Sequence, residues 1–419
     1  MELLTRISSG RFFTVQSLTC SQVVRLVAWP LAVITALDVV FVRAVHGDIT
    51  DDFKPVHAAA DAFLHHRPVY TEQLDWVDPH YLYSPGATLL LSPLGLLQEH
   101  TARYVFIFIN ALALVGATAL LLRLFGYSLR SVAAPICYFV VFASESTVNT
   151  LTFGNINGLT FLAEVASLHL LLKRRDVAAG IVLGLTITVK PTLAPLLLIA
   201  AARRQWATIA AAAVVPLAVT AVAWPLSADP VAYFRRTLPY SAQARDYFNS
   251  SIAGNALYYG IPSWMSLLIR ALFAAVVAVS LWLLYRYYRR DELFFVATTT
   301  GVLMTAEFLL STLGQQYYSM FIFPLLLTIV LSNSVVRNWP AWLAIFGFIT
   351  YDKWLLDHWP ALGRDLEYLR ITFGWSLLLI VVCYVLTDRY LTTRRNDRLP
   401  DLDPPELAPG YPPADAILQ

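Results

Sequence analysis

Charge is scarce in this chain. Asp, Glu, Lys and Arg make up 14% of its 419 residues, against about 25% in soluble domains, so no ordinary solvated surface can be built from it. Cysteine is scarcer still. Cys20, Cys137 and Cys383 are odd in number and far apart, which excludes a disulfide framework, a CxxC pair and a cysteine metal site. No Walker loop, GxGxxG, HExxH or GxSxG is present, which argues against a nucleotide-driven machine. No repeat of fixed period and no soluble domain is found. The net charge of +2 carries no basic excess of the kind that binds nucleic acid.

What the chain has instead is apolar length. Hydrophobic residues make up 58% and aromatics 13%, in recurrent runs of about 17–25 residues, the length that spans a bilayer. Lipid-exposed backbone must satisfy its own hydrogen bonds, so the expected fold class is all-α, a polytopic integral membrane protein. Residues 26–45 make the first span; residues 1–24 lack a small-residue cleavage site, so this span is expected to be a retained anchor. Further apolar runs lie near 104–122, 131–143, 158–172, 177–201, 206–224, 264–285, 293–312, 319–331, 340–350 and 372–387. Val56, Ala60, Phe63 and Leu64 recur at helical spacing opposite Asp61 and His65, which predicts an amphipathic helix lying in the interface.

Short basic clusters fix the expected orientation. Arg123 and Arg130, Lys173 to Arg175, Arg203 and Arg204, Arg286, Arg289, Arg290, Arg337, Arg394 and Arg395 belong on the cytoplasmic side. They agree only if 87–97 and 177–201 each return to the side they left. The second run is split by Lys190-Pro191, so two half-helices are expected there. This leaves about ten full crossings, a cytoplasmic N-terminus over 1–25, one membrane domain over 26–393, and a Pro- and Asp-rich disordered tail over 394–419.

Polar density gathers on the opposite side. Residues 47–56 read Gly-Asp-Ile-Thr-Asp-Asp-Phe-Lys-Pro-Val, and a carboxylate there can act as a general base. Successive side chains diverge on an extended backbone, so of Asp51 and Asp52 one is expected to be catalytic and the other structural. Asp52 is the leading candidate. A divalent cation held by two such carboxylates is the weaker alternative. Nearby, Asp78, His80, Tyr81 and Tyr83 suit contact with an acceptor; an interfacial belt would explain the tyrosines but not Asp-Pro-His. Asn155 and Asn157 suit sugar hydroxyls or a helix cap. Lys190 approaches a lipid phosphate or snorkels. Arg235, Arg236 and Arg245 match phosphate oxygens or belong to a plain surface loop. Asn249 and Gln316 complete the sugar-binding candidates.

These residues resemble a known family. Asp-Phe just after the first span, Tyr-Ser-Pro-Gly at 83–86, Gly-Asn-Ile-Asn at 154–157 and Lys190-Pro191 resemble the polyprenyl-phosphate-sugar-dependent GT-C glycosyltransferases. Four longer stretches resemble, in order, the arabinan-branching alpha-(1→3)-arabinofuranosyltransferases of mycobacteria and their relatives: Ile-Thr-Asp-Asp-Phe-Lys-Pro-Val, Val-Asp-Pro-His-Tyr-Leu-Tyr, Arg-Asp-Tyr-Phe-Asn-Ser-Ser-Ile and Val-Arg-Asn-Trp-Pro-Ala-Trp-Leu. The resemblance implies decaprenyl-phosphoryl arabinose as donor and the arabinan of arabinogalactan and lipoarabinomannan as acceptor. It also implies inversion, a multi-pass cell-membrane location with an extracytoplasmic site, no required cofactor, and Asp52 at the family's catalytic position. Ser84 stands where the superfamily usually has Pro, and His57 where Tyr is usual. The alternatives are a polyprenyl-phosphoryl-mannose-dependent mannosyltransferase and, in another class, a lipid-linked sugar transporter or flippase. A transporter should show symmetrical halves with paired broken helices at midplane.

Overall fold

In the computed structural model, residues 19–395 are described, apart from 48–50, 76, 78, 352 and 355. Asp48, Asp78, Asp352, the first eighteen residues and the tail from 396 therefore lie outside the described residues. Every regular element described is a helix, as the composition requires.

Helix α1 (Cys20–Leu37) begins earlier than the apolar run alone suggests. Thr19 and Gln22 form a reciprocal capping box, with the Thr19 amide donating to the Gln22 side chain at 2.8 Å. That S/T-x-x-Q signal satisfies two orphan amides. The helix continues through a wider π turn, Asp38–Arg43, to His46. Five-residue spacing puts Arg43 over Asp38 at 2.8 Å, which neutralises the one carboxylate inside this span. Gly47, at φ +72°, ends the helix.

Helix α2 (Phe53–Leu64) is the expected amphipathic helix, burying Phe53, Val56, Ala59, Ala60 and Phe63. Leu64 is a correction: it is 40% exposed, and Ala59 takes its place on the buried face. Helix α3 (Pro85–Leu91) passes into a 3₁₀ turn, Ser92–Leu96. The turn lies directly on α2, since a Cβ at Gly95 would meet the Ala60 backbone at 2.7 Å. The next residue, Leu97, accepts from the His57 ring at 2.9 Å, so this short segment comes back to α2 rather than crossing away.

Helices α4 (Glu99–Leu124), α5 (Ala133–Ala143), α6 (Glu145–Thr152) and α7 (Asn157–Leu172) follow. Then comes the broken run. Helix α8 (Asp176–Val189) stops at Lys190, which is extended at φ −138° and ψ 97°. Pro191 disfavours helical geometry in the residue before it and offers no amide to continue the ladder. A 3₁₀ stretch, Pro191–Leu196, and α9 (Leu197–Ala202) run back. Both ends of the excursion meet: Gln205 donates to Asp176 at 2.6 Å and Arg174 to the Arg203 carbonyl at 3.0 Å. The half-helix expectation holds, with Lys190 at the tip.

Helices α10 (Trp206–Ala223), α11 (Ser263–Leu283), α12 (Glu292–Leu310), α13 (Trp339–Ile349) and α14 (Arg370–Arg395) complete the bundle. Helix α12 has no polar face, its threonines being buried with its apolar residues, and is almost wholly enclosed, as a central helix should be. Among the described residues, six helices are long and apolar enough to cross a membrane. The other expected crossings fall on shorter apolar helices, of which Gln316–Val330, with Pro324 inside it, is largely 3₁₀.

Several of the basic clusters do gather at one end. Arg174 and Arg203 both reach Glu292, at 3.3 and 3.1 Å, Asn333 bonds Asp291 at 2.7 Å, and Arg389 bonds the Asn333 carbonyl at 2.6 Å. The loops predicted to share the other end also touch. Arg236 bonds the Tyr70 carbonyl, Asn249 the Thr312 carbonyl, and Arg364 the Asp246 carbonyl.

Candidate active site

Two adjacent carboxylates enter the polar end from the loop between α1 and α2, and they part company. Asp51 Oδ2 accepts from Arg103 Nε at 2.8 Å, and its Oδ1 accepts from the Phe53 amide at 2.9 Å. It thereby caps α2 and is 7% exposed. Asp52 holds the formal cap position but leaves its side chain out of the cap. Its own amide donates to the Phe153 carbonyl at 2.8 Å, and its carboxylate turns into a cavity of about 860 Å³. That volume falls within the range of small-molecule sites. As a candidate base Asp51 is corrected: both of its oxygens are engaged, and it does not line the cavity.

Asn155 Nδ2 donates to Asp52 Oδ2 at 2.8 Å. The Tyr317 hydroxyl, which donates to Gln315, lies 3.5 Å from the same oxygen. No donor among the described residues reaches Oδ1, which leaves that oxygen for a ligand. Burial pushes the Asp52 carboxyl up to about 6; the Asn155 bond, the Lys190 charge and Tyr317 work against that rise, and Asp51 adds to it.

Lys190 does not snorkel. From the break after α8 it lines the same cavity, hydrogen-bonded to Asn157 Oδ1 and 4.3 Å from the centre of the Tyr318 ring. Arg245 lines it too, stacked 4.8 Å over Tyr240 and donating to that hydroxyl at 2.9 Å, with its Nε buried and unpartnered. Neither cation has a carboxylate within ion-pair distance among the described residues. A buried, unpaired cation is expensive unless an anion joins it.

The other candidates divide. His80, Tyr83, Asn155 and Gln316 line the cavity. Asn155 Oδ1 and Gln316 Oε1 are buried without a partner, which suits hydroxyl donors on a ligand. Several do not reach it, and all of these but Arg235 have a structural occupation instead. Tyr81 is 3% exposed and bonds Thr88. Asn157 is fully buried and serves Lys190. Asn249 staples the loops, bonding the Arg245 and Thr312 carbonyls and the Ser251 and Gly314 amides. Arg236 clamps the carbonyls of Tyr70 and Glu72, and Arg235 is exposed and outside the lining.

Sequence reasoning passed over Tyr317, Tyr318 and Lys353 as site residues. All three line the cavity, and Lys353 sits 5.3 Å over the Phe153 ring. Tyr317 and Tyr318 follow Gln315 and Gln316, so their amide-aromatic cluster was a readable signal. Arg103 gave none. Among the described residues no group of three His, Cys, Asp or Glu side chains could hold a metal ion.

An all-helical membrane bundle with a carboxylate, two unpaired cations and unpartnered amide oxygens around one cavity has the makings of a glycosyl-transfer site. Residues 81–312 match Glycosyltransferase family 87, and the chain belongs to that family. It is 51% identical over 397 residues to the Alpha-(1->3)-arabinofuranosyltransferase of Mycolicibacterium smegmatis, covering 94% of this chain and 92% of the relative. The protein of the same name from Mycobacterium tuberculosis H37Rv is 50% identical, over 92% of this chain and 90% of that one. That from Corynebacterium glutamicum is 42% identical over 85% of each. No solved structure matches.

Proposed function

We propose that this chain is an inverting alpha-(1→3)-arabinofuranosyltransferase that takes arabinofuranose from decaprenyl-phosphoryl arabinose. Its acceptor is an arabinan hydroxyl, and its products are the alpha-(1→3) branches of arabinogalactan and lipoarabinomannan. The observation that carries the reading is that Asp52, whose Oδ1 meets no donor among the described residues, lines the cavity that also holds Lys190 and Arg245. The acceptor oxygen attacks the anomeric carbon while Asp52 Oδ1 takes its proton. The bond from that carbon to the phosphate oxygen breaks, and its electron pair leaves with the phosphate. Lys190 and Arg245 stabilise the departing charge. A phosphate leaves without being protonated, so the route calls for no second acid and no resident cofactor. Asn155 and Gln316 offer acceptors to sugar hydroxyls. A lipid-borne donor is favoured by Pro216 and Thr220 of α10 in the cavity wall, on a helix whose Leu217 is 71% exposed.

Purified protein in nanodiscs, given decaprenyl-phosphoryl arabinose and a linear arabinan oligosaccharide, is expected to yield 3-linked arabinofuranose on linkage analysis. Transfer from a mannosyl donor alone would replace this reading with the mannosyltransferase one; uptake of lipid-linked sugar without any transfer would favour a transporter.

The acid limb of kcat/KM follows from Asp52. Below about pH 6 the carboxyl is protonated and cannot accept a proton; above it the carboxylate is free. Activity is therefore expected to rise with pH through about 6. A profile that falls across that window would contradict the assignment.

The positive-inside rule favours an extracytoplasmic location for the polar end, since basic residues gather toward the other end. With the native cysteines removed, single cysteines at Thr71 and Gln243, both exposed, are expected to react with an impermeant maleimide in intact cells. One at exposed Ser128 is expected to stay unlabelled. The reverse pattern would move the reaction to the cytoplasmic side.

A further inference from the structure

Arg103 lies outside the cavity lining, near the start of α4, yet more of the loop around Asp52 depends on it than on any cavity residue. Its side chain is 12% exposed. Nε donates to Asp51 Oδ2 at 2.8 Å, one terminal nitrogen to the Ala44 carbonyl and the other to the Thr152 carbonyl, both at 2.9 Å. Those acceptors belong to three separate segments: the end of α1, the acidic loop and the end of α6. A planar fork presents its donors on three separate nitrogens in fixed directions and so spans three spread acceptors, whereas an ammonium gathers its three donors on one atom. The packing leaves no slack around it. A Cβ on Gly47 would stand 2.8 Å from an Arg103 nitrogen, and a Cβ on Gly154, already at φ +65°, would stand 2.8 Å from Phe53 Cβ.

We infer that the Arg103–Asp51 pair is the positioning device of the base, holding Asp52 at the cavity and screening it from the carboxylate next door. The inference rests on Asp52 being the base. Asp51 is fixed by the guanidinium, Phe53 by its amide bond to Asp51, and Asp52 by its amide bond to Phe153. Only the Asp52 side chain is left to turn, and Asn155 holds one of its oxygens. The same pair supplies the electrostatic part. Two ionised carboxylates on successive residues repel, and a guanidinium on one of them cancels most of that repulsion. Besides Asp51, the groups that face Asp52 are Lys190, Tyr83, Tyr317 and Tyr318, with Arg245, Lys353, His80 and Glu367 elsewhere on the cavity wall. None of these is touched by changes at Asp51 or Arg103.

The test compares Arg103→Gln, Arg103→Lys and Asp51→Asn with the parent enzyme in nanodiscs, reading kcat, the pH profile of kcat/KM, and donor affinity for decaprenyl-phosphoryl arabinose. Arg103→Gln exposes Asp52 to an unscreened negative charge, so the acid limb is expected to move up by about one pH unit. Asp51→Asn removes a negative charge and leaves Arg103 unpaired, so its limb is expected to move down. Arg103→Lys keeps the charge and loses the fork: its limb stays while kcat falls, by about 100-fold if the base is displaced by about 1 Å. Donor affinity is expected to change less than about threefold in all three, since the cations proposed to hold phosphate are elsewhere. If Arg103→Gln does not fold, the lysine and Asp51→Asn variants carry the test. Limbs of Arg103→Gln and Asp51→Asn that stay put or move together, or full kcat in Arg103→Lys, would overturn the inference. A parent enzyme with no acid limb, or an active Asp52→Asn variant, would instead remove the base itself.

Discussion

Asp52→Asn is expected to cut arabinofuranosyl transfer by about 10²–10⁴-fold, the usual contribution of a positioned general base, while leaving the fold and donor binding in place. The substitution is nearly isosteric. It keeps an oxygen that can accept from Asn155, which donates to Asp52 at 2.8 Å, so the loop has no reason to move. What it removes is the ability to take a proton at Oδ1. Single-turnover transfer from decaprenyl-phosphoryl arabinose, with donor affinity measured on the same preparation, separates the two effects. Near-parental turnover would take Asp52 out of the mechanism. Asp51 would not inherit the role, because both of its oxygens are committed to Arg103 and the Phe53 amide.

The second large effect concerns the donor phosphate. Lys190→Ala and Arg245→Ala are each expected to weaken donor binding by about 1.5–3 kcal/mol, the range for a lost hydrogen bond to a charged group. That corresponds to roughly 10- to 150-fold in Kd. Acceptor affinity should change much less. Both cations reach the cavity without a carboxylate partner, and a phosphate with spread oxygens is better matched by two cations than by one ammonium. Calorimetry in nanodiscs measures the donor term. If Lys190→Ala binds donor as the parent does and melts earlier, the lysine serves only to tie the α8 break to Asn157, and Arg245 is left as the phosphate ligand.

Much of this architecture could be read from the chain before any coordinates. The Lys190-Pro191 break is local chemistry, and the basic clusters require the excursion around it to return; the Arg203–Gln205 turn beside Asp176 shows that it does. The amphipathic helix after the acidic loop was legible for the same reason, its periodicity being local. Thr19 and Gln22 carried a capping box that apolar counting alone overlooked. The site was only half legible, because its contacts are not local. Asn155 is 103 residues from Asp52, and Arg103 is 52 from Asp51. Nothing in a single sequence ties such pairs together. The arginines make the point most plainly. Arg235, Arg236 and Arg245 look alike in one polar loop, yet Arg235 faces out, Arg236 is spent on two backbone carbonyls, and Arg245 alone reaches the cavity. Backbone direction decides among them, and composition does not carry that.

The arrangement also explains why two aspartates stand together where one does the chemistry. A cap is needed at the start of α2, and a base is needed one residue from it. Were Asp52 to cap the helix itself, its carboxylate would be fixed on backbone amides and drawn away from the cavity. Asp51 takes the cap and the ion pair, and Asp52 is released.

The most direct test of the account is a cryo-EM structure of the Asp52→Asn protein in nanodiscs with decaprenyl-phosphoryl arabinose bound. The account predicts the phosphate between Lys190 and Arg245, the arabinofuranose ring against Asn155 and Gln316, and the side chain at position 52 on the face of the anomeric carbon opposite the phosphate. A donor whose phosphate lies at Arg235 or Arg236, or whose anomeric carbon turns its open face away from position 52, would contradict it.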